Sequence, residues 1–220
     1  MSENINIKKE TLWKISIGVL AVLLVVSIFT GGFKGKTSDS GTQQAQPRGA
    51  SGGDSIDMDE LSKDFAFKGN KNAKVTIVEY SSFSCGYCNK VRGTLDQILK
   101  TYSNDVKIVY KHFDRGGSDS KTSQATECAG EQGKFWEMHD EIFDKGSSGN
   151  LVSYAKSIGL DVNSFETCLN SEKYASKVEQ STAEAISLGL RGTPGFIING
   201  QLISGAQPFE NFKQVIDAEL

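Results

Sequence analysis

The stretch "SSFSCGYCNK", Ser81 to Lys90, sets two cysteines two residues apart in a chain that has only four. Such a pair can hold a metal, staple a loop or trade electrons, and the residues on either side decide between these. Just before it, Val75 to Tyr80 ("VTIVEY") is rich in β-branched residues and follows the turn-forming "GNKNAK", which predicts a strand. After it, Val91, Leu95, Ile98, Leu99 and Tyr102 recur at the spacing of one apolar helix face. A second strand is predicted at Val106 to Tyr110 ("VKIVY"). Cys85 and Cys88 therefore stand at a strand-to-helix junction, with the helix expected to begin at or near Cys88.

The placement matters because the first N–H groups of a helix are unpaired and its N-terminus carries a partial positive charge. A thiolate there is stabilised, so the thiol titrates below its ordinary value of about 8.5 and the sulfur becomes a good attacking and leaving group. Cys85 is the residue this favours. Cys88, one turn further in, can close a disulfide with it and resolve a mixed disulfide with a client. The intervening Gly86 and Tyr87 bear on the potential through local dipoles and are expected to meet the client.

From His112 to about Leu190 the pattern is helical, including "SKTSQATECAGEQ" and a face formed by Phe135, Met138, His139, Ile142 and Phe143. Further helical segments are predicted at Leu151 to Ile158, Val162 to Leu169 and Tyr174 to Leu188. Then "RGTPGFIINGQLISG" predicts two strands joined by Asn199-Gly200, a strong hairpin signal. A closing helix, Phe209 to Leu220, follows. The order is strand, cysteine pair, helix, strand, helical insertion, Thr-Pro, hairpin, helix.

Residues 60 to 220 in this order resemble the DsbA-like branch of the thioredoxin fold, the extracytoplasmic thiol-disulfide oxidoreductases. "VEYSSFSCGYC" resembles the strand and active-site signature, "ECAGEQGKFWEMHDEIF" the helical insertion, and "GTPGFIINGQLISG" the cis-proline loop and final hairpin. The resemblance implies an α/β thioredoxin-like fold with an inserted helical subdomain at about 114–190. It implies that Thr193-Pro194 is a cis peptide beside the cysteine pair, with the Thr193 backbone offered to an extended client. It also points to Glu79, six residues before Cys85, as a buried acid that relays a proton to Cys88. The competing reading of Glu79 is a solvated face of an alternating strand.

Cys128 and Cys168 both fall in the helical insertion. Outside the cytoplasm spare thiols tend to pair, so a structural disulfide is expected, with two buried free thiols or a regulatory bond as alternatives. Zinc finds only one close-spaced pair, and His112 and His139 read as packed side chains. A zinc-binding or chaperone-like module is the non-enzymatic alternative, and no resident metal is expected.

The rest of the chain bears on location. Leu12 to Phe33 ("LWKISIGVLAVLLVVSIFTGGF") is almost wholly apolar, and Ile15 to Phe33 comes close to the roughly 30 Å of a bilayer's hydrocarbon core at about 1.5 Å per helical residue. Lys8, Lys9 and Lys14 precede it, which orients the following chain outward. Residues 1–33 are thus expected to be a cytoplasmic N-terminus and single-pass membrane anchor, 34–54 a Gly/Ser/Gln-rich flexible linker, and 55–220 the folded domain. A cleaved signal peptide is the competing reading, although no A-x-A-like site follows.

Six of the 24 Lys/Arg and three of the 27 Asp/Glu lie in the first 53 residues, so the remainder carries a formal charge of −6. That leaves no basic field for nucleic acid. No cofactor motif is present, neither G-x-G-x-x-G after a strand nor C-x-x-C-H. The resemblance therefore implies unfolded or partly folded protein thiols as clients and a separate, quinone-linked membrane partner that reoxidises the pair. Gly86-Tyr87 departs from the Pro-His of strong oxidants and resembles the dipeptide of disulfide isomerases. Oxidase is the expected activity on architecture, with isomerase or reductase as the alternative.

Overall fold

Val75–Ser81, the strand that leads into the cysteine pair, is buried along its whole length. The computed structural model that shows this describes residues 56–220 and the pair Arg48–Gly49. The expected anchor, and the expected linker apart from that pair, lie outside the described residues. Among the described residues no helix is long and apolar enough to cross a membrane.

In chain order the strands are β1 (Arg48–Gly49), β2 (Phe67–Gly69), β3 (Val75–Ser81), β4 (Val106–His112), β5 (Gly195–Ile198) and β6 (Gln201–Ser204). The helices are α1 (Met58–Ser62), α2 (Gly86–Thr101), α3 (Asp119–Gly130), α4 (Phe135–Lys145), α5 (Leu151–Ser157), α6 (Val162–Asn170), α7 (Ala175–Ser187) and α8 (Phe209–Glu219). One sheet forms in the order β1-β6-β5-β3-β4-β2. The α2 crossover lets β3 and β4 run parallel, with Glu79 opposite Tyr110 and Ser81 opposite His112. On its other side β3 meets β5 antiparallel, with Glu79 opposite Phe196.

The hairpin β5–β6 turns at Asn199 (φ 43°) and Gly200 (φ 91°), the paired left-handed conformations that favour Asn-Gly. Helices α3 to α7 are inserted between β4 and β5, as the pattern predicts. Helix α2 begins at Gly86, two residues before Cys88 and so near the expected start. The expectation followed the apolar stripe, whereas the helix is set by the Cys85 carbonyl, which accepts from the N–H groups of Cys88 (3.0 Å) and Asn89 (3.2 Å). The pieces β1, α1 and β2 are additional to the predicted elements, and β1 falls within the expected linker, where Arg48 and Gly49 pair with Leu202 and Gln201 of β6. Asp57 caps α1, accepting from the N–H groups of Asp59 and Glu60.

Both faces of the sheet are covered. Val75 and Ile77 pack with Val91, Leu95 and Ile98 of α2 and with Phe212, Val215 and Ile216 of α8. Val78 and Tyr80 pack on the opposite face with Leu61, Ala185 and Leu190. A third cluster joins Phe83, Cys85, Cys88 and Tyr110 to the insertion's Ala125, Met138, Ile142 and Phe165. The cysteine pair thus lies where the sheet end meets the inserted helices.

Candidate active site

Cys85 is the N-cap of α2, with extended backbone (φ −93°, ψ 111°) and no side-chain cap bond to occupy its sulfur. It is 5% exposed and Cys88 is fully buried, and both are free thiols. The Cys85 thiol donates to the Thr193 carbonyl oxygen at 3.3 Å. Burial pushes the Cys85 thiol up, but Thr193, Cys88 and the N–H groups of Cys88 and Tyr87 together outweigh it and hold the thiol below its ordinary value. The helix start at Gly86 brings those N–H groups within reach.

Cys88 behaves oppositely. Burial pushes its thiol up to about 12, against smaller help from Ser81, the Ser82 backbone and Thr193. Around it lie buried polar atoms with no hydrogen-bond partner among the described residues: the hydroxyls of Ser81, Tyr110 and Thr193. Buried polar groups are rarely left so. The Thr193 side chain lowers both thiols, so its hydroxyl favours the charged form of either sulfur.

Glu79 sits on the same face of β3 as Ser81, two residues along, and is 4% exposed. The solvated-face reading fails because β3 is an inner strand covered on both sides. Burial raises the Glu79 carboxyl to about 7, against smaller lowering by Ser81, Lys68 and Arg92. Tyr110, its neighbour across the parallel pairing, is raised by burial and by the charges of Glu79 and Cys88, which puts all three in one electrostatic neighbourhood.

The loop between β3 and α2 is anchored by Phe83, whose ring packs on Phe143 (4.8 Å between centroids), Tyr110 (5.7 Å) and His139 (5.7 Å). Asn89 donates to the Phe143 carbonyl at 3.0 Å, tying α2 to α4. Gly86 is exposed, and Tyr87 projects into solvent with 66% of its surface free. The Thr193-Pro194 peptide is cis. Gly195 follows because a Cβ there would collide with the Leu190 side chain.

Asp119 is a site residue that the sequence does not reveal. It is fully buried at the start of α3 and bonds to Ser82 and Ser84 just ahead of Cys85. In the sequence it is one more acid at a helix start, and no spacing rule links it to the cysteine pair.

Cys128 of α3 and Cys168 of α6 are bonded, with Cα atoms 5.8 Å apart. His112 is fully buried, with Nε2 2.9 Å from Glu127 Oε1, and Lys177 reaches the other Glu127 oxygen at 2.8 Å. His139 Nδ1 lies 2.8 Å from Asp140, and burial lowers its pKa despite that partner. Among the described residues no three His, Cys, Asp or Glu side chains lie close enough together to hold a metal ion, so the zinc alternative has no ligand set there.

Comparison with known proteins places this geometry. The chain is 30% identical over 154 residues to the Na(+)/H(+) antiporter NhaA of Herminiimonas arsenicoxydans, covering 69% of this chain and 25% of that protein. It is 32% identical over 149 residues to NhaA 3 of Salinispora tropica, covering 65% and 23%. The chain thus spans about a quarter of the length of these curated relatives.

Among solved structures, oxidised BdbD from Bacillus subtilis superposes with a TM-score of 0.66 at 21% identity, covering 78% of this chain and 98% of that one. The thiol-disulfide exchange protein α-DsbA2 from Wolbachia pipientis gives 0.65 at 20% identity, covering 73% and 90%. A periplasmic thioredoxin-like protein from Salmonella enterica serovar Typhimurium gives 0.60 at 22%, covering 74% and 94%. These likenesses show a shared fold, a thioredoxin-like sheet with a helical insertion. The thioredoxin family itself matches residues 62–218, from α1 to the last turn of α8, and the chain belongs to that family.

Proposed function

We propose that this chain is a thiol-disulfide oxidoreductase that introduces disulfides into client proteins on the extracytoplasmic side of a membrane, through Cys85 and Cys88. The observation that carries the reading is geometric: Cys85 caps α2 with its Sγ 3.3 Å from the Thr193 carbonyl oxygen, just before the cis Thr193-Pro194 peptide, while Cys88 is fully buried one turn further in. The two thiols shift in opposite directions accordingly. A client thiolate attacks Cys85 Sγ in the oxidised pair. The Cys85–Cys88 bond breaks, the client–Cys85 bond forms, and the electron pair passes to Cys88, which takes up a proton. A second client thiolate then attacks the client sulfur of the mixed disulfide, releasing an oxidised client and the Cys85 thiolate. The low proton affinity of Cys85 makes it the better leaving group.

Glu79, with its carboxyl near 7, is the proton donor and acceptor we assign to Cys88, because a carboxyl near the working pH exchanges protons in both directions. Thr193 and Pro194 form one wall of the client groove, and exposed Gly86 and Tyr87 form its rim. Location outside the cytoplasm is supported by the Cys128–Cys168 bond, of a kind that persists in oxidising surroundings, and by the apolar stretch Ile15 to Phe33. The client's two electrons end on the dithiol, so turnover requires a separate acceptor, which we assign to a quinone-linked membrane protein.

Disulfide isomerase is the second reading, favoured by the Gly86-Tyr87 dipeptide. Equilibration of the pair with glutathione separates the two. A potential near about −120 mV supports the oxidase, one near about −180 mV favours the isomerase, and one near about −270 mV overturns both in favour of a reductase. Cys85→Ala should abolish exchange and Cys88→Ala should trap mixed disulfides; full activity in Cys85→Ala would remove Cys85 from the mechanism.

A further inference from the structure

Asp119 has an environment unlike that of an ordinary helix-start acid. Its Oδ1 accepts the Ser84 N–H at 2.9 Å, and its Oδ2 accepts the Ser82 hydroxyl at 2.7 Å, the Ser84 hydroxyl at 3.0 Å and the Arg115 N–H at 3.1 Å. None of the four donors is on a charged side chain, and none belongs to α3. A buried carboxylate is costly unless hydrogen-bonded, and here both oxygens are engaged, Oδ1 by one donor and Oδ2 by three. Three of them come from two serines that stand 35 and 37 residues away in sequence, directly before Cys85.

Those serines lie in a segment that belongs to neither β3 nor α2. Within it, the Cys85 N–H donates to the Ser82 carbonyl at 3.1 Å, and the two serine hydroxyls are 3.1 Å apart. Cys85 thus hangs from a turn whose hydroxyls and one of whose N–H groups end on a single carboxyl group. The sulfur's position relative to the Tyr87 and Cys88 N–H groups and to Thr193 depends on that turn.

We propose that Asp119 is a positioning residue for thiol exchange: it clamps the Ser82–Ser84 turn and so seats Cys85 Sγ against its hydrogen-bond donors at the helix start. The helical insertion thereby contributes directly to the chemistry of a cysteine outside it. This rests on Cys85 as the exchanging sulfur, but alkylation of that sulfur tests it with neither a client nor a redox partner. Failure of the clamp and failure of the oxidase reading are therefore separately visible.

The experiment is the pH profile of Cys85 alkylation in the reduced full-length protein, with Cys88→Ala as background so that one active-site thiol reacts. Asp119→Asn keeps Oδ1 for the Ser84 N–H but places an amide against the other three donors. Ser82→Ala/Ser84→Ala keeps the carboxyl group and removes two of its donors. Both should move the profile to higher pH, with roughly tenfold slower alkylation near neutrality for each unit of upward movement. Ser84→Thr, which keeps the hydroxyl, should restore the profile relative to Ser84→Ala. Asp114→Asn, in the neighbouring loop, is the control and should leave it unchanged.

The direction is decisive, because removing a nearby negative charge without loosening the turn would move the profile to lower pH. A downward movement in Asp119→Asn, or an unmoved profile in the double serine variant, overturns the clamp. Should Asp119→Asn not fold, the serine variants decide alone, with an upward movement supporting the clamp and an unmoved profile overturning it.

Discussion

The sulfur of Cys85 stands 3.3 Å from the main-chain oxygen of Thr193, joining residues 108 positions apart. One belongs to the start of α2 and the other to the loop before β5, and the whole helical insertion lies between them in sequence. The contact puts the more acidic thiol beside a loop whose carbonyl accepts from it and whose Thr193 hydroxyl has no partner among the described residues. The asymmetry of the pair is built from these two segments together.

The first prediction concerns that hydroxyl. Thr193→Val keeps the side-chain shape and removes the donor, so the Cys85 thiolate loses one charge-assisted hydrogen bond. Alkylation of Cys85 at pH 7 should slow by roughly tenfold, the equivalent of such a bond. The orphaned hydroxyl also carries a burial cost in the thiol form, so denaturant unfolding should show Thr193→Val no less stable than wild type. Unchanged alkylation would show that the backbone N–H groups of Tyr87 and Cys88 suffice without Thr193.

The second concerns Glu79, whose carboxyl moves from 4.5 to about 7 on folding. Between these values the folded state holds a proton that the unfolded state has lost, so this group's contribution to stability falls as pH rises through the window. Roughly two and a half units at about 1.4 kcal/mol each give a loss of about 3 kcal/mol between pH 4.5 and 8. Glu79→Gln does not titrate and should be more stable than wild type at pH 8 by an amount of that order. Comparing unfolding of the two proteins at pH 5 and pH 8 cancels the opposing contribution of Cys85. Parallel pH dependence in both would place the Glu79 titration outside this window.

The short-range features were legible in the sequence because each depends on neighbours along the chain. The β-branched run of β3, the helical period of α2 and the Asn-Gly hairpin need no tertiary information. Glu79 was ambiguous for a physical reason: alternation along a strand does not reveal whether a given face is covered, and here α2 and α8 cover the face that Glu79 shares with Ile77. The start of α2 was legible to within two residues, because the first turn of a helix carries caps and N–H groups and not the apolar stripe that marks the rest. Asp119 was invisible because its three bonds to the serines exist only once the insertion folds back on the β3–α2 loop.

The third prediction uses the Cys128–Cys168 bond, which closes a sequence separation of 40 between α3 and α6. Cross-linking a loop of that size lowers the entropy of the unfolded chain by an amount equivalent to about 3–4 kcal/mol. Replacing both cysteines by alanine should lower the unfolding free energy by that order in a denaturant titration, with Cys85 and Cys88 still able to exchange. Equal stability with and without the bond would mean that packing of the insertion already holds α3 and α6 together.

The last prediction follows from the need for an electron acceptor. Ile15 to Phe33 is read from the sequence as a membrane span, and the polar segment from there to β1 as a flexible tether of about 14 residues with an r.m.s. reach of roughly 20 Å. A catalyst so held meets an integral-membrane oxidant by diffusion in two dimensions and still has room to turn Cys85 toward a client. Removing residues 1–43 deletes the proposed span but keeps β1, whose Arg48 pairs with Leu202 of β6. The shortened protein should react with soluble oxidants at the rate of the full chain. In membranes containing the reoxidising partner, at matched amounts of protein, its dithiol should be reoxidised more slowly. Equal rates there would limit the span to retention of the protein at the bilayer, with no share in its turnover.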